Sequence, residues 1–485
     1  MKKFPIIIIA ASLLMASCTK HLSSLNVDPK NSQNPIANAL FLQGEMNLTN
    51  ALVTTSIGIA PFRVMSQEWS ENTYVYEANY QFSPYNAPGG WWDNLYVNTI
   101  HDLELAKKSF GNNFFGTKGQ LNNELIISDI LEVYAYGLLV TTYGNIPYTQ
   151  AETDSIPFAK YDDAKTVFSA LLTRLDTCIN GLSLSDASLS EDLIYGGDPG
   201  KWKKFAASLK LKMALMLADV DPTTAATKIN QAVSTGVFAS NADNALFNFD
   251  AASPINSSPI WIAISYSGRH DFGPASLIVN TMQGLNDPRM PQYFTQFNGA
   301  YVGGNPGDPN NSYAAYSDFG SQLYSAGLGG DILDYSEIQF YLAEAAARGM
   351  LTSGVTTPAP YYDSAISASI QFWEGAAFNP NDVTTYLAQP TVAYATAAGN
   401  WKQKIGYQEW ISYYNRNWES WTVIRRLGYP NIDAVSPPPQ ANGNLPLRFY
   451  YPPNEVTSNA KNWAAATAAL PGGQDVVSAK LFFMP

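Results

Sequence analysis

Three stretches of the chain gather aromatic rings beside amides and charged groups, a combination that binds sugars. The first, "TYVYEANYQFSPYNAPGGWW", holds Tyr74, Tyr76, Tyr80, Phe82, Tyr85 and Trp91, with Asn79 and Asn86 between them. The second, "PIWIAISYSGRHDFG", holds Trp261, Tyr266, Arg269, His270 and Asp271; the third, "NNSYAAYSDFGSQLY", holds Tyr313, Tyr316 and Tyr324. The apolar face of a sugar ring stacks on an aromatic plane, while amides and carboxylates take up its hydroxyls. All three stretches read as loops, where binding residues concentrate. The expected ligand is therefore neutral and rich in hydroxyls. Other readings stay open: Tyr74, Tyr76 and Tyr80 fit one face of a strand, and Arg269 next to Asp271 fits a salt bridge that pins its loop.

One residue points to covalent chemistry. "MKKFPIIIIAASLLMASC" has two lysines, a short apolar run and small residues before Cys18, the pattern of a secretory signal with its cleavage site. The run falls short of the roughly 20 apolar residues that a transmembrane helix needs. A cysteine directly after the small pair resembles a lipoprotein box, so residues 1–17 are expected to be a signal peptide. Residues 18–35 are then a lipidated flexible tether. An ordinary secretion signal followed by a chance cysteine is the alternative. With Cys18 lipidated, Cys178 has no partner and no intrachain disulfide can form. Formal net charge is −12, or −14 once Lys2 and Lys3 leave with the signal, which argues against nucleic acid as a partner.

Catalytic readings fail on specifics. His21, His101 and His270 lie far apart and form no zinc-binding pair. No Gly-x-Ser-x-Gly elbow occurs, and "AGLGGDIL" lacks the third glycine of a dinucleotide loop. Only the paired carboxylates of a glycoside hydrolase stay open, since geometry alone decides them. No catalytic residue, metal or cofactor is expected.

The elements that would hold these loops are helices. Helical patterning runs through "ANALFLQGEMNLTNAL", "WWDNLYVNTIHDLELAKKSF" and the largely apolar "NELIISDILEVYAYGLLVTTYGNIPY". It continues in "YDDAKTVFSALLTRLDTCINGL" and in "DPGKWKKFAASLKLKMALMLADVDP", which opens on Asp198-Pro199. Residues 240 to 330 break the pattern. Helices resume with "DYSEIQFYLAEAAARGM", "PYYDSAISASIQFWEGAA" and "KQKIGYQEWISYYNRNWESWTVIRRLGY", before a proline-rich tail with at most a short strand. The fold class is mainly α, with tetratricopeptide-like helix pairs forming a scaffold covered by a loop-rich insertion with little β-structure. Scaffold is expected over about 36–240 and 331–430, and the ligand-binding loops over about 60–92 and 240–330.

The order of motifs resembles the SusD/RagB family of Bacteroidetes outer-membrane lipoproteins, in its SusD-like branch. "YGNIPY" is similar to the family's Tyr/Phe-Gly-Asp-Val-Pro signature with Asn145 for Asp. "KWKKFAASLKLKMAL" resembles its Trp-Lys-Lys-x-Ala-Asn-Ser-Leu helix, with Ala207 for Asn. "YSEIQFYLAEAAARG", "YYDSAISASIQFW", "WESWTVIRRLGYP" and "LRFYYPPNEVTSN" follow in the family's order. The resemblance implies four tetratricopeptide-like pairs and no catalytic residue. It also implies a place on the outer membrane, anchored through Cys18, over a SusC-like TonB-dependent transporter, to which captured glycan is delivered. Peptide capture, or a structural lid with weak ligand affinity, are the alternatives within the family. Surface lipoproteins of these bacteria carry acids soon after the cysteine, whereas "CTKHLSS" has Lys20 and none. Most motif residues have structural readings: Trp202 as core, Arg425 and Arg426 paired with Glu419, Glu409 or a helix end, and Glu344–Arg348 as a helix-surface pair.

Overall fold

The helix Lys118–Tyr143 is apolar on nearly every side, and the molecule closes around it. It is long and apolar enough to cross a membrane, yet its most apolar window is 83% buried inside the protein, which makes it a core helix. Thr117 caps its start, accepting the Gln120 N–H, and Gly144 ends it at φ 90°, a conformation open to glycine without strain. The computed structural model describes residues 36–113, 116–153, 155–414, 416–433, 435 and 444–484. The expected signal peptide, Cys18 and the expected tether lie outside the described residues.

Antiparallel pairing generates the scaffold. Lys118–Tyr143 packs on Ala164–Gly181, and Pro199–Met216 on Pro222–Thr235. Tyr335–Ala347 packs on Pro358–Glu374, and Trp401–Ser412 on Asn417–Leu427. Ala37–Val53 lies across His101–Asn113. Local chemistry fixes the starts: Asp163, Asp198, Asp221 and Asp334 each accept a first-turn N–H, an N-cap worth about 1 kcal/mol apiece. Among the described residues, strands are few and short, forming three two-stranded sheets. The mainly α fold of helix pairs stands as expected.

The differences have local causes. Helix Pro222–Thr235 was not anticipated, because only Ala225, Ile229 and Ala232 on it are buried and its apolar stripe is thin. The long helix expected from Lys402 to Tyr429 is two helices, broken between Ser412 and Asn417. The break lets Arg416 turn inward. Gly428 then ends the second helix in the left-handed region at φ 77°. The proline-rich tail, read as holding at most a short strand, forms none among the described residues; Phe449 donates its N–H to the Thr142 carbonyl.

Two apolar cores meet on the helix Tyr335–Ala347, which sends Ile338, Tyr341 and Leu342 into one and Phe340 and Ala343 into the other. Between the helices lies a charged seam. Arg416 reaches Glu337 at 2.5 Å and stands 3.7 Å from Asp334, while Lys212 bridges Glu337 at 3.1 Å and Glu419. Arg426 pairs with Glu344 at 2.8 Å and lies 3.6 Å from Glu409, and Arg425 donates to the Thr141 carbonyl with its guanidinium stacked over Trp421. Glu344 is fully buried between Arg348 and Arg426, so the expected surface pair is a buried triad. Trp202 is fully buried and donates its ring N–H to Asp192 at 2.7 Å, as a core tryptophan should.

Candidate functional site

Two distant strands start the site. Trp69–Glu71 pairs antiparallel with Phe272–Pro274, which brings the first and second aromatic stretches edge to edge. Asn72 continues the contact, donating its backbone N–H to the Asp271 carbonyl and its side-chain amide to the His270 carbonyl. A third loop closes on the first: Asn311 donates to the Glu71 carbonyl at 3.0 Å, and Asn79 to the Gly307 carbonyl at 2.9 Å. Three loops far apart in sequence thus form one surface.

Exposed rings cover it. Tyr74, Tyr76, Tyr85, Tyr266 and Tyr313 are all exposed, an unusual density for residues of this size. Tyr76 and Tyr85 lie 6.2 Å apart, His270 stacks flat on Tyr313, and Trp261 faces Tyr266 at 5.3 Å. Arg269 grips Asp271 through two hydrogen bonds of 2.5 and 2.9 Å, which holds its guanidinium above its ordinary pKa. Such a face offers stacking planes, amide groups and one fixed ion pair. It can hold a chain of neutral rings.

The first loop is neither strand nor simple coil. It is a run of turns in which Tyr74 (φ 61°), Tyr80 (φ 60°) and Asn86 (φ 51°) adopt the left-handed conformation that non-glycine residues rarely take. That geometry divides its rings. Tyr74 and Tyr76 turn outward, whereas Tyr80 and Phe82 are buried in the core.

The structure corrects several assignments. Trp91 does not lie on a loop: it sits in helix Ala87–Leu95, fully buried and edge-on to Phe62 at 5.0 Å. Tyr80 is equally unavailable to ligand. Tyr316 and Tyr324 are half-buried, and Tyr324 spends its hydroxyl on Asp318 at 2.8 Å. Trp261 is half-buried in a short helix that widens into a π-turn over Ile262–Tyr266, a feature frequent at functional sites.

A second aromatic opening escaped the sequence reading. Trp92, Tyr96, Phe158, His101 and Glu455 line a cleft of about 390 Å³, with Phe158 exposed at its lip. Trp92 is buried and Tyr96 half-buried, and both line the cleft. The missed signal was Phe158, an isolated ring in a polar stretch.

A family model described as starch-binding and associating with the outer membrane matches residues 29–452. The chain belongs to the SusD-like family. Among solved structures, a chitin-binding protein is 26% identical with a TM-score of 0.79, covering 93% of this chain and 100% of its own. A SusD-like protein from Bacteroides thetaiotaomicron is 24% identical, TM-score 0.77, covering 92% and 98%. A chitin-binding SusD homologue from Flavobacterium johnsoniae is 23% identical, TM-score 0.74, covering 91% and 98%. No curated protein matches. The SusD-like assignment accounts for the helix pairs and agrees with the resemblance carried by the sequence motifs.

Proposed function

We propose that this SusD-like protein is a lipid-anchored receptor on the outer surface of the outer membrane. It captures a glycan and hands it to a SusC-like TonB-dependent transporter, without catalysis of its own. The observation that carries the reading is the joined surface of Tyr74, Tyr76, Tyr85, Tyr266 and Tyr313 around the Arg269–Asp271 pair. These large rings are left to solvent, beyond what burial requires of them. Stacking planes presented on an open face suit a long polymer better than a small metabolite, which calls for a concave site. Two chitin-binding proteins among the similar structures support an N-acetylated polysaccharide as the first ligand to test.

Isothermal titration with N-acetylglucosamine and maltose oligomers tests the reading directly. Saturable binding of one series, lost on Tyr313→Ala, is the expected result. Binding of neither series to the folded protein, with reducing sugar released from a polysaccharide panel, would overturn it in favour of a hydrolase.

A further inference from the structure

Beneath the aromatic face lies a set of buried oxygens without partners. Both carboxylate oxygens of Glu77 are inaccessible to solvent and accept no hydrogen bond from another residue, although the residue sits in a surface turn. Glu71, also fully buried, accepts the Ala78 N–H at 3.1 Å through Oε2 and leaves Oε1 unpartnered. That bond lays the Glu71 carboxylate against the turn formed by Glu77, Ala78 and Asn79. Asn79 uses its amide N–H groups on the Val75 and Gly307 carbonyls, and its Oδ1 is buried with no donor. An unpartnered buried acceptor costs about 1–3 kcal/mol, and more for a charged one, so several on one turn need a reason.

We propose that Glu71, Glu77 and Asn79 bind a divalent cation of calcium type that locks the aromatic loop in place. Calcium takes six to eight oxygens, from carboxylates that can be bidentate, from amide side chains and from main-chain carbonyls. The donors on this turn are of those kinds alone. The unpartnered groups on this turn are carboxylate and amide oxygens with no thiolate or imidazole among them, a donor set that suits a hard cation rather than a transition metal. No basic side chain pairs with either glutamate among the ion pairs of the described residues, while burial disfavours both as anions. Glu77 is pushed up to about 8 by burial, and Glu71 is raised by burial and then by its acidic neighbours Glu77 and Asp271. A cation supplies the missing positive charge. Its role is mechanical: the same turn carries Tyr74 and Tyr76, and Tyr85 is close enough to feel the Glu77 charge. This inference is independent of which ligand the rings bind.

The test is calorimetric titration of the chelator-treated protein with calcium, beside melting curves with and without EDTA. Calcium should bind saturably and raise the melting temperature by several degrees, and Glu77→Gln should abolish both effects. In EDTA, Glu77→Gln should melt no lower than the parent, because it replaces a buried carboxyl that has no partner with a neutral amide of the same shape. Terbium should bind at the same place with tyrosine-sensitised emission that calcium displaces. Should Glu77→Gln fail to fold, Asn79→Ala takes its place, and wild-type calcium affinity in that variant would overturn the site. So would absence of any calcium response in the parent at pH 8, or an equal response to magnesium.

Discussion

His270 lies flat on Tyr313, ring centroids 4.2 Å apart and planes 12° from parallel, although 43 positions separate them in sequence. The stack ties the second aromatic loop to the third. It leaves Tyr313 58% exposed, so one face of the pair is available to a ligand. Tyr313 opens a single 3-10 turn, Tyr313–Ala315, and His270 leads into the strand Phe272–Pro274, so the stack joins two short local elements through their side chains.

From this arrangement, Tyr313→Ala and Trp261→Ala should each weaken glycan binding by about 2 kcal/mol, roughly thirtyfold, with little change in melting temperature. Trp91→Ala should behave oppositely. Its indole is fully buried against Phe62, and truncation should cost about 3–5 kcal/mol of stability through the cavity it leaves. Titration beside thermal melting separates the two classes, and equal losses of stability for all three variants would refute the surface assignment.

The buried seam predicts a non-additive pair. Lys212→Ala leaves Glu337 to Arg416 but takes from buried Glu419 its close cationic partner, and should cost about 3–5 kcal/mol. Lys212→Met combined with Glu419→Gln should recover much of that loss, since replacing both partners by groups of similar shape removes the stranded charge. Urea unfolding of the singles and the double checks the coupling. Simple additivity would mean that the contact carries no interaction energy.

Glu409 sets a pH dependence. Burial pushes its carboxyl up to about 8, only partly offset by Arg426. The unfolded chain releases this proton near the ordinary value of about 4.3. Between those limits the folded state binds more protons, so this residue's contribution to stability falls as pH rises and levels off above about 8. Glu409→Gln should therefore melt progressively higher than the parent as pH goes from 5 to 8.5. A difference that stays constant over that range would contradict the assignment.

On the proposed anchoring through Cys18, Cys18→Ala should release a folded protein from the membrane fraction, because stable anchoring needs several acyl chains. Fractionation followed by circular dichroism of the soluble form is the check. A mutant that still sediments with the outer membrane would exclude lipidation at Cys18.

Helix existence was legible because burial leaves a periodic trace. Leu131, Leu138, Tyr143, Trp202 and Leu209 all occupy the core, and caps such as Asp163 and Asp198 announce themselves in sequence by type and position. Composition also showed that aromatics exceed what the helices need, and their grouping marked the loops that form the surface. Sequence could not divide those rings into outward and inward ones. Tyr74 and Tyr80 share the same left-handed backbone within one turn-rich loop, yet one is 54% exposed and the other 3%. An irregular loop has no period from which side-chain direction can be read, so tertiary packing decides it: Tyr80 turns into the core that Trp91 and Phe82 occupy, and Tyr74 turns out to solvent. The pairing of Trp69–Glu71 with Phe272–Pro274 is likewise set by contacts between segments some 200 positions apart, which no local pattern records.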